Sequence, residues 1–331
     1  MISFWEQLRE QGLILGLSPM DGVTDAPMRY MVAKHGHNPR GQSVRTGVDV
    51  LFTEFVSVDG LHYAKGERRE RILKAFVKVG DIEPGINIPE VAQIFGKTPE
   101  FFAEAASLIE TLGFDGVDIN MGCPAHNVSE SGSGAGLIRT PELAQAIVKA
   151  VRAATHLPVS VKTRIGVDAG SEMEEWIAAL SEVRPDAISL HGRTLRQMYT
   201  GNADWEAIGR AARIVHDKGG IILGNGDVRS LDEAKSRASE SGVDGVLIGR
   251  ASFGNPGVFV NSEPDWETRK SWILEHAKIY GQVFGQEYFL PLRKHLAWYA
   301  RGFPGASELR QELVRVNKYK DVKTIIERYT G

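Results

Sequence analysis

The sequence predicts a (β/α)8 barrel followed by a small all-helical domain. Eight short apolar runs rich in β-branched residues recur along the chain, and helical patterns separate most of them. After Phe259 the strand-like runs stop, and the pattern from Trp266 onward is helical. We therefore expect a barrel over residues 1–260 and a helical domain over residues 261–331, with the boundary near 260–266.

Each predicted strand is one of the apolar runs. In chain order these runs span residues 13–19, 50–56, 91–96, 116–122, 158–166, 186–193, 220–228 and 242–250. Helices are predicted over residues 99–113, 141–155, 171–183, 204–219, 230–242, 268–289, 291–303 and 307–329. Several of these helices open with Pro, or with Ser or Asp followed by Glu, and close at Gly, as helix ends commonly do. A polar, glycine-rich stretch over residues 35–49 predicts a longer loop before the second strand.

A doubly wound sheet is the alternative architecture. Its phosphate-binding signature G-x-G-x-x-G should follow the first strand. The sequence at that point is LILGLSPMDG, which lacks this spacing of glycines. The barrel is therefore the better prediction.

Charge and cysteine content narrow the function classes. The 331 residues carry a net charge of −3, with the first 265 residues at −8 and the remainder at +5. The basic C-terminal segment is compatible with a polyanionic partner, although a solvated helical appendage would have the same composition. A single cysteine excludes a disulfide within the chain, and the sequence has no signal-peptide pattern and no apolar run of membrane-spanning length. We expect a cytoplasmic protein.

Polar side chains follow nearly every predicted strand at the point where it ends. Barrel enzymes build their active sites at that end of the strands. We therefore expect one shared site, formed in chain order by Pro19 and Met20, Thr53 and Glu54, Gln93, Asn120 and Cys123, Lys162 and Arg164, His191 and Arg193, Asn225, and Gly249 and Arg250.

Glycine-rich turns follow the last two strands, in GNGD (224–227) and IGRASFGNPG (248–257). Glycines there let backbone N–H groups approach an anion, and the loops after the seventh and eighth strands form the usual phosphate site of this fold. Arg250 adds a charge-assisted contact. The alternative is a pair of ordinary turns, but the position in the barrel favours phosphate binding.

Lys162 in SVKTR and His191 in LHGRT place two titratable groups at the same strand ends. A buried ammonium without a partner is costly, so Lys162 indicates a Schiff base, a flavin contact or an ion pair inside the barrel. His191 and Arg193 leave their strand on the same side and suit a phosphate, a flavin edge or a substrate carbonyl. Tyr199, on the loop that follows, suits stacking on a planar base or packing against Trp205.

Cys123, the only cysteine, lies in DINMGCPAHNVSESGSGAGLI, just after the fourth predicted strand. A thiol with an ordinary pKa of ~8.5 is mostly protonated at neutral pH, so it can donate a proton as well as act as a nucleophile. The sequence shows no oriented histidine partner of the protease type, and the spacing of its histidines does not indicate a metal site. The alternative is an inert buried thiol.

Nine motifs together resemble, in order and spacing, those of the bacterial tRNA-dihydrouridine synthases. The resemblance runs from about residue 14 to about residue 315. The motifs are PMDGVTDAPMR, QIFG, DINMGCP, GAGLI, VKTRIG, HGRT, GNGDV, IGRASFGNP and, in the C-terminal segment, RKHLAWYARGFPGASELR. DINMGCP with the downstream GAGLI is highly specific, whereas GNGD and IGR alone occur in many flavin barrels.

The resemblance implies the chemistry and its partners. It implies an FMN-dependent enzyme that reduces specific uridines in tRNA to 5,6-dihydrouridine and uses NADPH (or NADH) to reduce the flavin. Hydride would pass to C6 of the uracil, and Cys123 would give the proton to C5. The barrel would be the FMN-binding catalytic domain and the helical segment the tRNA-binding domain. We expect a monomer that uses neither a metal nor a membrane.

The resemblance also implies roles for individual residues. Cys123 would be the catalytic residue. Residues implied for cofactor binding are Pro19, Met20, Asp21, Gln93, Lys162, His191, Asn225, Gly226, Asp227, Gly249 and Arg250. Residues implied for contact with the uracil are Asn120, Arg164 and Tyr199.

Three other functions compete with this hypothesis. An FMN barrel of the dihydroorotate dehydrogenase type would act on a free pyrimidine, but it would not need a basic helical segment. A non-catalytic tRNA-binding protein would not need Cys123 or Lys162, and both are present. An aldolase or isomerase would use Lys162 as a Schiff base and would bind no flavin.

Overall fold

The computed structural model describes residues 2–37, 47–168 and 172–329. The strands are β1 Ile14–Leu17, β2 Val50–Phe52, β3 Val56–Ser57, β4 Glu90–Phe95, β5 Gly116–Met121, β6 Val159–Arg164, β7 Ala187–His191, β8 Ile222–Asn225 and β9 Gly245–Ile248. The helices of the barrel region are α1 Phe4–Glu10, α2 Ala26–His35, α3 Val58–Tyr63, α4 Gly66–Leu73, α5 Val79–Ile82, α6 Pro99–Thr111, α7 His126–Ser129, α8 Pro141–Ala154, α9 Met173–Glu182, α10 Trp205–Asp217 and α11 Leu231–Ser241. Those that follow are α12 Trp266–Phe284, α13 Leu292–Tyr299, α14 Ala306–Leu313 and α15 Tyr319–Arg328.

Eight of these strands close into a parallel barrel. β1 pairs with β9 on one side and with β2 on the other, and β2 pairs with β4. The pairing then runs without interruption from β4 through β5, β6, β7 and β8 to β9. The short β3 adds to the far end of β4. The predicted (β/α)8 barrel with helices after it is therefore confirmed.

The second barrel strand is shorter than predicted. The prediction was one strand over residues 50–56, but β2 ends at Phe52 and β3 resumes at Val56. The side chain of Thr53 interrupts the ladder, because its Oγ1 accepts the backbone N–H of Gln93 at 2.9 Å and donates to the carbonyl of Glu54 at 2.7 Å. The chain therefore turns away from β4 for three residues.

The helices predicted between the later strands lie where the sequence placed them, within a few residues. The last predicted helix, over residues 307–329, was wrong as a single element, because α14 ends at Leu313 and α15 begins at Tyr319. Arg293 holds the break, since its Nε donates to the carbonyl of Val316 at 2.8 Å and its Nη2 to Asn317 Oδ1 at 2.7 Å. Helices α1 to α5 were not predicted.

The interior of the barrel has an apolar lower half and a polar upper half. Alternate residues of each strand point inward. The inward residues nearest the N-terminal ends form an apolar cluster of Ile14, Val50, Phe52, Val91, Ala187, Leu223 and Leu247. Trp5 and Leu8 of α1 belong to the same cluster and close this end of the barrel. Towards the C-terminal ends the inward residues become polar, so the barrel is open for chemistry at that end.

The C-terminal helices pack against the barrel through α2. Glu275 of α12 accepts hydrogen bonds from Tyr30 Oη at 2.8 Å and from His35 Nε2 at 2.7 Å, and it pairs with Lys34 Nζ at 2.9 Å. The division into domains at residue 260 stays a prediction. Of the predicted long loop over 35–49, residues 38–46 lie outside the described residues, while His37 and Gly47 form an antiparallel bridge.

Candidate active site

Parallel register brings the polar strand-end residues into one ring at the open end of the barrel. Asn120 of β5 lies beside Lys162 of β6. Arg164 lies beside His191 of β7, and His191 lies beside Asn225 of β8. These residues were predicted from the sequence to share one site. The sheet register places them on neighbouring strands, either directly opposite each other or two residues further along the strand.

A buried amide network connects β4, β5 and β6. Gln93 Nε2 donates to Asp118 Oδ2 at 2.7 Å, and Gln93 Oε1 accepts from Asn120 Nδ2 at 2.9 Å. Ser160 Oγ donates to the other oxygen of Asp118 at 2.6 Å. Burial raises the pKa of Asp118 to about 6, although the two donors act in the opposite direction. The network fixes the orientation of Gln93 and Asn120 before any ligand binds.

Cys123 lies on the turn that leaves β5, and Asn120 holds this turn. Asn120 Oδ1 accepts the backbone N–H of Gly122 at 3.0 Å and that of Cys123 at 2.8 Å. The carbonyl of Cys123 accepts the N–H of Ala135 at 3.2 Å, which ties the turn to the glycine-rich segment. The thiol is partly buried, and burial raises its pKa. The side chain is therefore a thiol, not a thiolate, at neutral pH.

Lys162 and His191 both lie near Arg164 but differ in charge. Lys162 Nζ donates to Asn225 Oδ1 at 3.1 Å, and burial lowers its pKa to about 8. Burial, together with Lys162, Arg164 and Arg193, lowers the pKa of His191 to about 2. At pH 7 the lysine is therefore mostly an ammonium and the imidazole is neutral. Among the described residues no carboxylate lies within ion-pair distance of Lys162, although buried Asp118 attracts it from farther away.

Arg164 is buried and joins two loops of the site. Its Nε donates to the carbonyl of Gly122 at 2.7 Å. Its Nη1 donates to the carbonyls of Thr194 and Met198, each at 3.0 Å. The side chain is 3% exposed, and burial lowers its pKa to about 10, so it stays charged at neutral pH. Arg164 thus connects the Cys123 turn to the loop after β7.

Tyr199 lies on that loop with its side chain 65% exposed. Trp205, the packing partner considered in the sequence, is instead buried and donates its indole N–H to the carbonyl of Gly226 at 3.0 Å. The stacking role of Tyr199 remains a prediction, and its ring is available for it.

A cluster of charges supports the turns after β7, β8 and β9. Buried Arg193 donates from Nη2 to both carboxylate oxygens of Asp227, at 2.7 and 2.9 Å. Arg250 Nη2 donates to Asp227 Oδ1 at 2.8 Å, and the N–H of Ala203 donates to Oδ2 at 2.8 Å. Burial alone would raise the pKa of Asp227, but these donors hold it below its usual range. The carboxylate therefore faces the two arginines, and only its backbone remains for an anion.

The backbone at these turns is free to bind an anion. Within the described residues, no acceptor meets the backbone N–H groups of Gly226, Asp227, Gly249 or Arg250. Gly226 has φ +131°, and a Cβ there would lie 2.5 Å from that of Ala203, so glycine is required. Free N–H groups beside an exposed arginine suit a phosphate group. The residues present therefore fit the phosphate end of a flavin mononucleotide.

Polar atoms deeper in the barrel fit the ring of such a cofactor. Ser189 Oγ is buried and has no hydrogen-bond partner among the described residues. It lies beside Lys162 in the register of β6 and β7. An unpartnered hydroxyl beside an ammonium is the kind of surface that a polar ring edge would satisfy. Neither Ser189, Ser160 nor Asp118 was predicted as a site residue.

The loop after β1 completes the rim with Pro19, Met20 and Asp21. Met20 N–H donates to Thr24 Oγ1 at 3.1 Å, and a Cβ on Gly249 would lie 3.4 Å from Met20 Sδ. Burial raises the pKa of Asp21, and Lys294 of α13 acts in the opposite direction. The loop therefore lies between the end of β9 and the C-terminal helices.

The chain was compared with known proteins. Residues 16–330 match the family profile described as dihydrouridine synthase. The chain belongs to the dihydrouridine synthase family. A probable tRNA-dihydrouridine synthase 1 from Synechocystis is 34% identical over 322 residues, covering 94% of this chain and 84% of the relative. A probable tRNA-dihydrouridine synthase from Staphylococcus aureus is 32% identical and covers 99% of this chain and 95% of the relative.

Solved structures with the same fold are more distant from this dihydrouridine synthase. A morphinone reductase variant in complex with tetrahydroNAD has a TM-score of 0.50 at 12% identity, covering 77% of this chain and 90% of the other. An old yellow enzyme homologue from Zymomonas mobilis has a TM-score of 0.50 at 15% identity, covering 77% and 91%. These likenesses confirm the barrel. The family confirms the predicted reaction class, a flavin-dependent oxidoreductase acting on uridine in tRNA.

In the described part of the chain, no group of three or more His, Cys, Asp or Glu side chains is arranged to hold a metal ion. None of the described helices combines the length and the apolar character needed to cross a bilayer.

Proposed function

We propose that this dihydrouridine synthase uses FMN as its flavin and NADPH (or NADH) as its reductant, and that Cys123 protonates the uracil. The observation that carries the proposal is Cys123 itself: a thiol kept protonated by burial, on a turn fixed by Asn120, at the open end of the barrel. A family member that transfers hydride to a pyrimidine needs a proton donor at this place. We further propose that it acts as a cytoplasmic monomer without a metal.

The proposed cofactor contacts follow from the free donors of the site. The backbone N–H groups of Gly226, Asp227, Gly249 and Arg250, with the Arg250 guanidinium, would bind the phosphate. Asn225 would act by orienting Lys162, whose ammonium would face the ring. Gln93 and His191, with Pro19, Met20 and Asp21, would line the remaining edge. FMN, which carries a single phosphate group, matches this anion site.

The chemistry of the chain's own residues is proton donation and positioning. A bound, reduced flavin would supply hydride to C6 of the uracil. The negative charge that develops at C5 then needs a proton, and the Cys123 thiol gives it. Asn120 and Arg164 hold the turn that carries Cys123 and contact the uracil, while Tyr199 stacks on the base or its neighbour. The target uridine must leave its stack to reach the barrel mouth.

The test is the dihydrouridine content of tRNA, mapped by position, in cells that lack this gene, together with the absorption spectrum of the purified protein. We expect a yellow protein, and at least one position in tRNA that loses dihydrouridine. A yellow protein with unchanged tRNA would instead favour reduction of a free pyrimidine. A colourless protein that binds no added FMN would contradict the cofactor assignment.

A further inference from the structure

We propose that helices α3 and α4 form a second tRNA-binding surface on the barrel itself, apart from the C-terminal helices. The inference rests on the proposed function. The α3–α4 surface consists of Tyr63, Lys65, Arg68, Arg71 and Lys74. It would bind the phosphate backbone and one unpaired base of the tRNA outside the reacting nucleotide.

Charge singles out this segment within an otherwise acidic barrel. Residues 62–78 contain six Lys and Arg against two Asp and Glu, a net charge of +4. The first 265 residues as a whole carry −8, so the rest of that region carries −12. A local excess of cations on a body of the opposite sign is not needed for solubility. It is the pattern that an electrostatic contact with a polyanion requires.

The cations of the surface have no ion-pair partner among the described residues. Lys65, Arg68, Arg71 and Lys74 are exposed, and none forms an ion pair with a described residue. Their neighbour Arg69 differs, because its guanidinium donates to the carbonyl of Leu61 and holds α4 against α3. One arginine of the helix is therefore structural, and four cations remain for a partner.

An exposed aromatic ring, that of Tyr63, precedes these cations in the chain by two residues. Tyr63 is 68% exposed, and its ring meets His62 edge-on at 4.6 Å and Phe101 edge-on at 5.5 Å. His62 is itself stacked on Phe101 at 3.9 Å and is held by Glu104 at 2.7 Å. The ring of Tyr63 thus packs edge-on against two other rings while most of the side chain stays exposed, a combination that suits stacking of an unpaired base.

The surface starts at the active-site end of the barrel. α3 begins at Val58, directly after β3, which pairs with Ile94 and Phe95 at the far end of β4. The same connection contains Thr53, whose hydroxyl accepts the N–H of Gln93 in the site. A helix of six residues is only about 9 Å long. A tRNA with one uridine in the barrel mouth therefore has other nucleotides within reach of Tyr63 and Lys65.

RNA fits this surface better than a membrane does. Apart from Tyr63, the two helices carry no exposed large apolar side chain that could enter a bilayer. Free cations beside a supported, exposed aromatic ring are instead the combination that binds single-stranded nucleic acid.

The experiment compares full-length variants loaded with FMN. In the first, Lys65→Gln, Arg68→Gln, Arg71→Gln and Lys74→Gln are combined. The control for charge combines Arg210→Gln, Arg213→Gln, Lys218→Gln and Lys235→Gln, which lie on α10, directly after it and on α11, on the side of the barrel opposite β4. Arg210 and Lys218 pair with Glu174 and Glu182. Both variants lose the same charge. Binding of tRNA transcript is measured as a function of salt, and flavin reduction by NADPH is measured without tRNA.

We expect the α3–α4 variant to bind tRNA at least about tenfold more weakly, with a slope of log K against log salt smaller by about 3, as four lost phosphate contacts predict. Flavin reduction without tRNA should match the wild type. The control should keep the wild-type affinity and slope. An α3–α4 variant that binds tRNA as the wild type does, or a control that loses as much, would overturn the proposal.

Tyr63 supplies a test that does not depend on charge. Tyr63→Ala should weaken tRNA binding about fivefold, whereas Tyr63→Phe should bind as the wild type does, because stacking needs only the ring. If both variants bind tRNA with the affinity of the wild type, Tyr63 does not contact a base. Loss of binding to phosphatidylserine vesicles in the α3–α4 variant, with unchanged tRNA affinity, would assign the surface to a membrane and overturn the proposal.

The proposed function fails separately from this inference. If the wild-type protein forms no dihydrouridine in any tRNA, the reaction assignment is wrong, and the binding comparison still decides whether the surface holds RNA. If the wild type reduces tRNA and the α3–α4 variant binds it equally well, only the surface is wrong.

Discussion

A proton donor in an active site must keep its proton until the substrate needs it. Burial raises the pKa of the Cys123 thiol, so the protonated form dominates at neutral pH without a partner base. Asn120 holds the backbone N–H groups of Gly122 and Cys123, and the N–H of Ala125, which hydrogen-bonds the sulfur, acts against the effect of burial on the pKa. At the scale of one residue, a thiol that stays protonated supports the general-acid role proposed for Cys123.

Substitution of Cys123 should separate reduction of the flavin from reduction of the tRNA. We expect Cys123→Ala to bind FMN and to be reduced by NADPH as the wild type is, while dihydrouridine formation falls by about 10² or more, the usual contribution of a general acid. Anaerobic flavin reduction and single-turnover assays with tRNA measure the two steps. Normal turnover with tRNA in this variant would remove Cys123 from the mechanism.

The protonation state can be measured directly because the chain has one cysteine. We expect the rate of alkylation by iodoacetamide to rise with a midpoint above the ~8.5 of a free cysteine, since burial disfavours the thiolate. The rate is followed from pH 6 to pH 10 by mass spectrometry, with glutathione as the reference thiol. A midpoint below that of glutathione would indicate a thiolate nucleophile.

Single residues of the site differ in how well the sequence revealed them. Cys123, Lys162 and His191 stood out because titratable groups at strand ends are unusual. Asp118 did not, because it lies inside an apolar run and its role appears only through Gln93 and Ser160 on other strands. Its alternation with Asn120, which puts both on one face of β5, was the available signal.

Among the elements of the barrel, the loops after β5 and β7 are mechanically coupled. The guanidinium of Arg164 donates hydrogen bonds to the carbonyl of Gly122 in one loop and to the carbonyls of Thr194 and Met198 in the other. Neither loop has secondary structure at these carbonyls, so the guanidinium replaces it. The position of Cys123 and that of Tyr199 therefore depend on one side chain.

Loss of that side chain should loosen both loops. Arg164→Gln leaves buried carbonyls without donors, so we expect a loss of roughly 2 to 4 kcal/mol in the free energy of unfolding. Displacement of the thiol should lower the rate of tRNA reduction by about 10². Arg196→Gln, an exposed arginine of the same loop, should change neither quantity appreciably.

Denaturant unfolding and single-turnover kinetics measure these two effects. Alkylation of Cys123 without tRNA adds a third readout, since a support role predicts faster alkylation in Arg164→Gln. Unchanged stability and alkylation, with only tRNA reduction impaired, would mean that Arg164 acts on the uracil alone.

The sequence revealed elements with strong periodicity and missed those without it. Five of the six helices between β4 and β9, namely α6, α8, α9, α10 and α11, have apolar stripes and clear ends and were predicted, whereas the four-residue α7 was not. α4 reads GERRERIL and has only Ile72 and Leu73 as apolar residues, so its helical state is decided by packing on α3. α1 was missed although Ser3 and Glu6 form a capping box that marks its start.

At the scale of the whole molecule, Glu275 joins the C-terminal helices to the barrel. Burial alone would raise its pKa, but hydrogen bonds from His35, Lys34 and Tyr30 lower it to about 2. A carboxylate with a lowered pKa stabilises the folded state above the unfolded pKa of ~4.3, and that contribution disappears as the pH falls towards the folded value. This contact therefore makes the attachment of the helices sensitive to acid.

Glu275→Gln should make the protein less stable at neutral pH. We expect it to lower the free energy of unfolding by roughly 2 kcal/mol at pH 7, and the difference from the wild type to shrink between about pH 4.5 and about pH 2. Denaturant unfolding at pH 7, 5 and 3 measures it. A difference that is constant across this range would show that the charge of Glu275 is not what holds the helices.

The closed lower end of the barrel has a kinetic consequence. Because Trp5 and Leu8 close one end and apolar side chains fill the lower half, we expect a flavin at the strand ends to be reached from the open end of the barrel. We therefore predict that the nicotinamide leaves before the tRNA binds. Initial rates against tRNA at several fixed NADPH concentrations should give parallel double-reciprocal lines, whereas intersecting lines would require both reactants to be bound together.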